Sequence, residues 1–100
     1  MLKHIVMWRF KDEFEGRTKE QMMDEQRAAL KALPAKIPCI RCLEVGKDVL
    51  HTDASYDMVL VSVFENKEKM IEYREHPDHV AVSRRMKGYV TERVCIDYEF

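Results

Sequence analysis

No window of the chain approaches the roughly 20 consecutive apolar residues of a membrane-spanning helix. Its opening, "MLKHIVMWRF", is too short in apolar character for a secretory leader. A cytoplasmic protein without membrane contact is the expectation. Charge of one sign is lacking too: 17 basic and 18 acidic residues are mixed along the sequence. No basic stripe is available to follow phosphates, so nucleic acid is not an expected partner. Glycine and proline are scarce, three of each, which excludes fibrous, linker-like and low-complexity chains. Three cysteines, an odd number, fit free thiols in a reducing compartment better than a disulfide framework. What is present is 46% hydrophobic residues in a chain of 100, enough for one modest core, so residues 1–100 are expected to form a single domain.

Read in order, Leu2 to Phe10 is short, apolar and partly alternating, the pattern of a strand, and Lys11 to Gly16 is its polar exit loop. Thr18 with Gln21 makes a capping box, and Met22, Gln26, Ala29, Leu30 and Leu33 follow at helical spacing until Pro34 and Pro38 close the helix. Ile40 to Leu50 reads as a second strand interrupted at Gly46, and "HTDAS" as the turn into a third, Met58 to Glu65. Asn66 caps the next helix, through Met70, Ile71 and Tyr73. Pro77 pushes His76 out of the helical region and starts a new helical piece that runs to Gly88, a C-cap glycine. Val90 to Phe100 is the last strand.

The order β-α-β-β-α-β is the split, ferredoxin-like pattern, an α+β fold whose antiparallel sheet runs 4-1-3-2 with two helices on one face. The first strand carries His4, Val6, Trp8 and Phe10 on one side and Ile5 and Met7 on the other. The third opposes Met58, Leu60 and Phe64 to Val59, Val61 and Val63. Both therefore read as central. The fourth opposes Val94, Ile96, Tyr98 and Phe100 to Arg93, Cys95, Asp97 and Glu99, as an edge strand does. Two helices cover one face of such a sheet, yet its central strands are apolar on both. A second copy of the chain is the expected cover, giving a homodimer that closes two sheets into a barrel around a cavity.

The segments "KHIVMWRFKDE", "LEVGKDV", "ASYDMVLVSVFEN", "YREHPDHV" and "TERVCIDYEF" resemble the stress-responsive A/B barrel (Dabb) family of the dimeric α+β barrel superfamily. The "HP-x-H" element and the opening "KHIV" are its most specific parts. The resemblance implies the ferredoxin-like fold, a homodimer, and a small-molecule pocket between sheet and helices near the histidines. In a member that cyclises polyketide chains by aldol condensation, a tyrosine and a histidine act from the "Y-x-x-HP-x-H" element. The matching positions here are Tyr73 and His79. That member has a histidine where this chain has Met58, and a smaller apolar residue where it has Trp8.

These residues assemble into an acid/base reading that needs no cofactor and no metal. His79 near the start of a helix is disfavoured as imidazolium and suits a general base. Tyr73 is the hydrogen-bond donor to a developing enolate, and His4 the orienting partner. Trp8, Met58, Leu60, His76 and Met22 are the expected pocket lining, around a small, aromatic or polyketide-like organic ligand. The bland alternative makes His76 an N-cap, His79 a backbone-bonded residue and His4 a core histidine, in a stress-related binding dimer whose helix-start amides form a small anion site. A second alternative is the monooxygenase activity of the wider superfamily. Metal binding by His4, His76 and His79 is disfavoured by Pro77 and the want of a fourth ligand. "CIRC", Cys39 to Cys42, puts its α-carbons about 10 Å apart on a strand, beyond disulfide reach. Arg84 and Arg85 read as facing solvent, unless an arginine at the pocket mouth serves an acidic ligand.

Overall fold

In the computed structural model, which describes residues 1–100, ten elements follow one another: β1 (Leu2–Phe10), β2 (Glu13–Phe14), β3 (Arg17–Thr18), α1 (Lys19–Lys31), α2 (Leu33–Lys36), β4 (Cys42–Lys47), β5 (Met58–Phe64), α3 (Lys67–Glu75), α4 (Pro77–Met86) and β6 (Val90–Glu99). The main sheet has the order β4-β5-β1-β6. Counting only its own strands, this is the expected 4-1-3-2, and every neighbouring pair is antiparallel. β1 is central because it is apolar enough to be covered on both sides and pairs along its length with β5 and β6.

Helix starts follow local chemistry. The Thr18 hydroxyl accepts from the Gln21 amide at 3.2 Å while the Gln21 side chain accepts from the Thr18 amide at 2.9 Å, so two of the orphan donors at this end are satisfied. The Asn66 side chain accepts from the Lys69 amide at the head of α3. His76, with φ −64° and ψ 135°, ends α3 and caps α4, and Pro77 occupies the first helical position after it. This break separates α3, which packs on β1 and β5, from α4, which packs against α1, α2 and α3.

One core of 19 buried residues fills the space between the helices and one face of the sheet. The sheet contributes Leu2, Val6, Trp8, Phe10, Val45, Met58, Leu60 and Phe64. The helices contribute Met22, Met23, Leu30, Met70, Tyr73, Val82 and Met86. The opposite face carries no helix. There Val94, Ile96, Tyr98 and Phe100 are exposed at 39%, 59%, 40% and 62%, a contiguous apolar row on a strand edge.

Several expectations are corrected. The exit loop after β1 holds a small hairpin, β2–β3, turning through Glu15 and Gly16 at φ 51° and 78°, both left-handed as a two-residue hairpin of this twist requires. Pro34 begins a further helical turn, α2, instead of simply ending α1, because proline suits the first turn of a helix. β4 is shorter than Ile40 to Leu50 and runs through Gly46, where Val59 lies 3.4 Å from any added methyl. Gly88 is not a left-handed cap. Its hydrogen faces the Phe14 ring, which would stand 2.9 Å from a Cβ, so the glycine admits the hairpin against the end of α4.

Candidate functional site

A cavity of about 250 Å³ opens between the sheet and α4. β1 supplies His4, Val6 and Trp8, all on its helix-facing side by strict alternation, and β5 supplies Leu60 opposite Val6. α4 supplies His79, Ser83 and Met86, spaced so that successive turns present them to one side. Leu30 of α1, Lys87, and Val90 and Arg93 of β6 complete the wall. Trp8 is 4% exposed and forms a wall without filling the space.

His79 is held in one tautomer. Its Nδ1 lies 2.9 Å from the Arg74 carbonyl oxygen. A carbonyl only accepts, so Nδ1 carries the hydrogen and Nε2 is left with its lone pair, 3.5 Å from the Ser83 hydroxyl. Burial holds the His79 pKa below the usual imidazole value, and the neighbouring charges of His4, Arg93 and Arg74 press the same way against the Arg74 carbonyl. Near neutral pH the ring is therefore an uncharged base.

His4 is 5% exposed, and its Nδ1 donates to the Asp97 carboxylate directly across the β1–β6 ladder. Sequence reasoning placed His4 here but missed Asp97, Arg93, Ser83 and Lys87. The signal for Asp97 and Arg93 was available in the register: with the fourth strand beside the first, Asp97 falls opposite His4 and Arg93 opposite Trp8.

Tyr73 is fully buried, its ring centroid 4.4 Å from that of His79, 4.9 Å from Phe64 and 6.3 Å from His4. Its hydroxyl finds no hydrogen-bond partner in the chain, and burial pushes its pKa well above the usual phenol value, with Arg93 opposing. Tyr73 is not part of the cavity surface, so contact with a ligand there requires side-chain movement.

Three expected lining residues lie elsewhere. Met22 and Met58 are buried at 0% and 2%, tight in the core rather than at the cavity wall, because Met22 sits on the sheet-facing side of α1 and Met58 at the far end of β5. His76 is spent on capping: its Nδ1 accepts from the Asp78 amide at 3.1 Å. The amide of Val80 returns to the His76 carbonyl, so the expected helix-start anion site is largely filled by the chain itself. His4, His76 and His79 do not converge as a ligand set. Cys39 donates to the Lys69 carbonyl at 3.4 Å, Cys42 is exposed on β4, and both are free thiols.

Known proteins resemble this chain over almost its entire length. The stress-response A/B barrel domain-containing protein HS1 of Arabidopsis thaliana is 31% identical over 102 residues, spanning 98% of this chain and 88% of that protein. The olivetolic acid cyclase of Cannabis sativa is 25% identical over 99 residues, spanning 97% and 94%. Among solved structures, a dimeric protein of unknown function with a ferredoxin-like fold from Bacteroides fragilis superposes with a TM-score of 0.88 at 35% identity, covering 99% of this chain and 95% of that one. The family model of the stress responsive A/B barrel domain matches residues 2–100. With that match added to the sheet order, the helix broken at His76 and Pro77 and the cavity beside it, the chain belongs to the stress responsive A/B barrel domain (Dabb) family.

Proposed function

We propose that the protein is a homodimer whose cavity binds a small organic molecule and moves a proton within it, without a cofactor, as in an aldol-type ring closure. The observation that carries the reading is His79: a neutral imidazole, fixed as the Nδ1–H tautomer, on the wall of a largely apolar cavity. His79 Nε2 takes a proton from a carbon flanked by two carbonyls. The enolate carbon then attacks another carbonyl of the same molecule, a carbon–carbon bond forms, and the proton returns to the new alkoxide oxygen. No oxidant or reductant is consumed. His4, oriented by Asp97, presents a second imidazole to the same space. The occurrence of a cyclase among the relatives supports this reaction class. The homodimer is supported by the exposed apolar row of β6 and by the dimeric state of a 35% identical structural relative.

Trp8 is the only tryptophan, so its fluorescence reports the cavity. Titration with small β-dicarbonyl and aromatic ketone compounds, charged and neutral, is expected to give saturable quenching. Binders are then assayed for turnover with wild type and His79→Ala. A flat response across the series removes the cavity as a binding site. Binding with turnover that falls no more than twofold in His79→Ala removes the proton-transfer role and leaves a binding dimer.

A further inference from the structure

The cavity lining is of two chemical kinds. Val6, Trp8, Leu30, Leu60 and Met86 are its apolar lining, while Lys87 and Arg93, the latter paired with Trp8 across the β1–β6 ladder, are its cations. A second depression shares His79, Ser83, Lys87 and Arg93 with the cavity and adds Arg74 and Arg84. No acidic side chain lines either space. Arg74, Arg84, Lys87 and Arg93 enter none of the protein's ion pairs, although acids slightly outnumber bases in the chain. Of the acids near them in sequence, Glu92 pairs with Arg9, Asp97 with His4, Glu72 with Lys69 and Asp78 with His76, while Glu75, next to Arg74, enters no ion pair and lines neither space. Two unpaired cations, Lys87 and Arg93, thus line the cavity, and two more, Arg74 and Arg84, line the depression that adjoins it.

We propose that the cavity's ligand is a small organic carboxylate, its apolar body against Trp8 and Leu60 and its carboxylate held by Arg93 and Lys87. The inference rests on the cavity being a binding site and names the class of molecule it takes. A guanidinium matches a carboxylate edge to edge, and the pairing is strengthened where apolar walls exclude water. A phosphate fits less well. Helix-start amides are the usual supplement for its extra oxygens, and two of those of α4, from Asp78 and Val80, are occupied by the His76 ring and carbonyl. The volume, about 250 Å³, lies below the roughly 300 Å³ lower bound of drug-sized sites, which limits the body to a ring or two. The same cations favour an enolate forming beside His79, so selection of the ligand and its reaction use one field.

The test is calorimetry with matched pairs, cinnamate against cinnamamide and 1-naphthoate against 1-naphthamide, at pH 7.5 and low salt. The acids are expected to bind about tenfold or more tightly than their amides, a charge-assisted hydrogen bond's worth of preference. Added salt should shrink that preference. Arg93→Gln should remove most of the difference by weakening the acids far more than the amides, with Lys87→Gln as the second variant should the first fail to fold. Equal binding of acid and amide overturns the carboxylate assignment and leaves the cavity a binding site for neutral molecules. Binding of neither member of either pair, with Trp8 quenched by other compounds, also overturns it, whereas silence in both experiments removes the binding site itself. Displacement of the acid by inorganic phosphate at concentrations below the acid's own Kd reassigns these cations to phosphate.

Discussion

β1 and β6 are adjacent antiparallel strands, yet they sort their side chains in opposite ways. On β1 the row facing the helices, His4, Val6, Trp8 and Phe10, is buried, and the other row is half-covered. On β6 the row facing the helices is Arg93, Cys95, Asp97 and Glu99, while the apolar residues Val94, Ile96, Tyr98 and Phe100 face outward into solvent. For a lone subunit this is upside down, since an edge strand buries its apolar row against the core. The inversion makes sense if each row has a separate task. The inner row lies beside the helices' margin, where the cavity opens, and equips it with a cation and with the carboxylate that orients His4. The outer row is the surface that the proposed second copy would cover.

The largest effect that sharpens this contrast is on the inner side. His79→Ala should lower turnover by about a hundredfold or more, the usual worth of a positioned general base, with the solution mass unchanged. On the outer side, Ile96→Lys should convert a dimer to a monomer in sedimentation velocity, because a lysine would enter an apolar interface without a partner. A dimeric mass for that variant would show that the outer row is not the interface. Its sequence neighbour makes the complementary test. Asp97→Asn should leave the mass unchanged and reduce turnover about tenfold, as losing an orienting carboxylate commonly does. If residues 96 and 97 instead have the same effect on both readouts, the division of labour between the two rows fails.

Most of this architecture is legible from local chemistry. The capping box at Thr18 and Gln21, the break at His76 and Pro77, and the alternation in β1 and β5 each depend on residues within a few positions of one another. What escapes is set by distant contacts. The hairpin turn places Glu15 in a left-handed conformation that its residue type does not advertise. Gly88 owes its identity to Phe14, far away in the chain. Met58 and Leu60 share a face of β5, and only the position of α4 decides that Leu60 reaches the cavity while Met58 fills the core. Asp97 and Arg93 become site residues through cross-strand register alone.

A smaller effect separates function from folding at Tyr73. Its buried hydroxyl has no partner, and leaving such a group unsatisfied costs about 1–3 kcal/mol. Tyr73→Phe should therefore raise stability by about 1 kcal/mol, or roughly 4–8 °C in Tm for a domain of this size. A gain in Tm with a loss of turnover marks the hydroxyl as retained for the reaction. A loss of Tm means that it has a partner in solution, such as one exposed by movement of His79.

The smallest effect is a pH dependence that reads the same field from the folded state. His79 has its pKa lowered by burial and by the charges of His4, Arg93 and Arg74, so the unfolded chain, near 6.5, binds its proton more readily than the folded one. Its contribution to stability is complete above pH 6.5 and is lost as pH falls through the lower folded value, after which it changes no further. Denaturant midpoints at pH 7.5, 6.0 and 5.0 should thus fall more steeply for wild type than for His79→Gln, whose side chain does not titrate. Parallel curves would mean that His79 is as solvated in solution as in the unfolded chain. A carboxylate bound at Arg93 should flatten the wild-type curve beyond the shift that binding alone produces, because a negative charge beside the ring offsets the cations that resist its protonation.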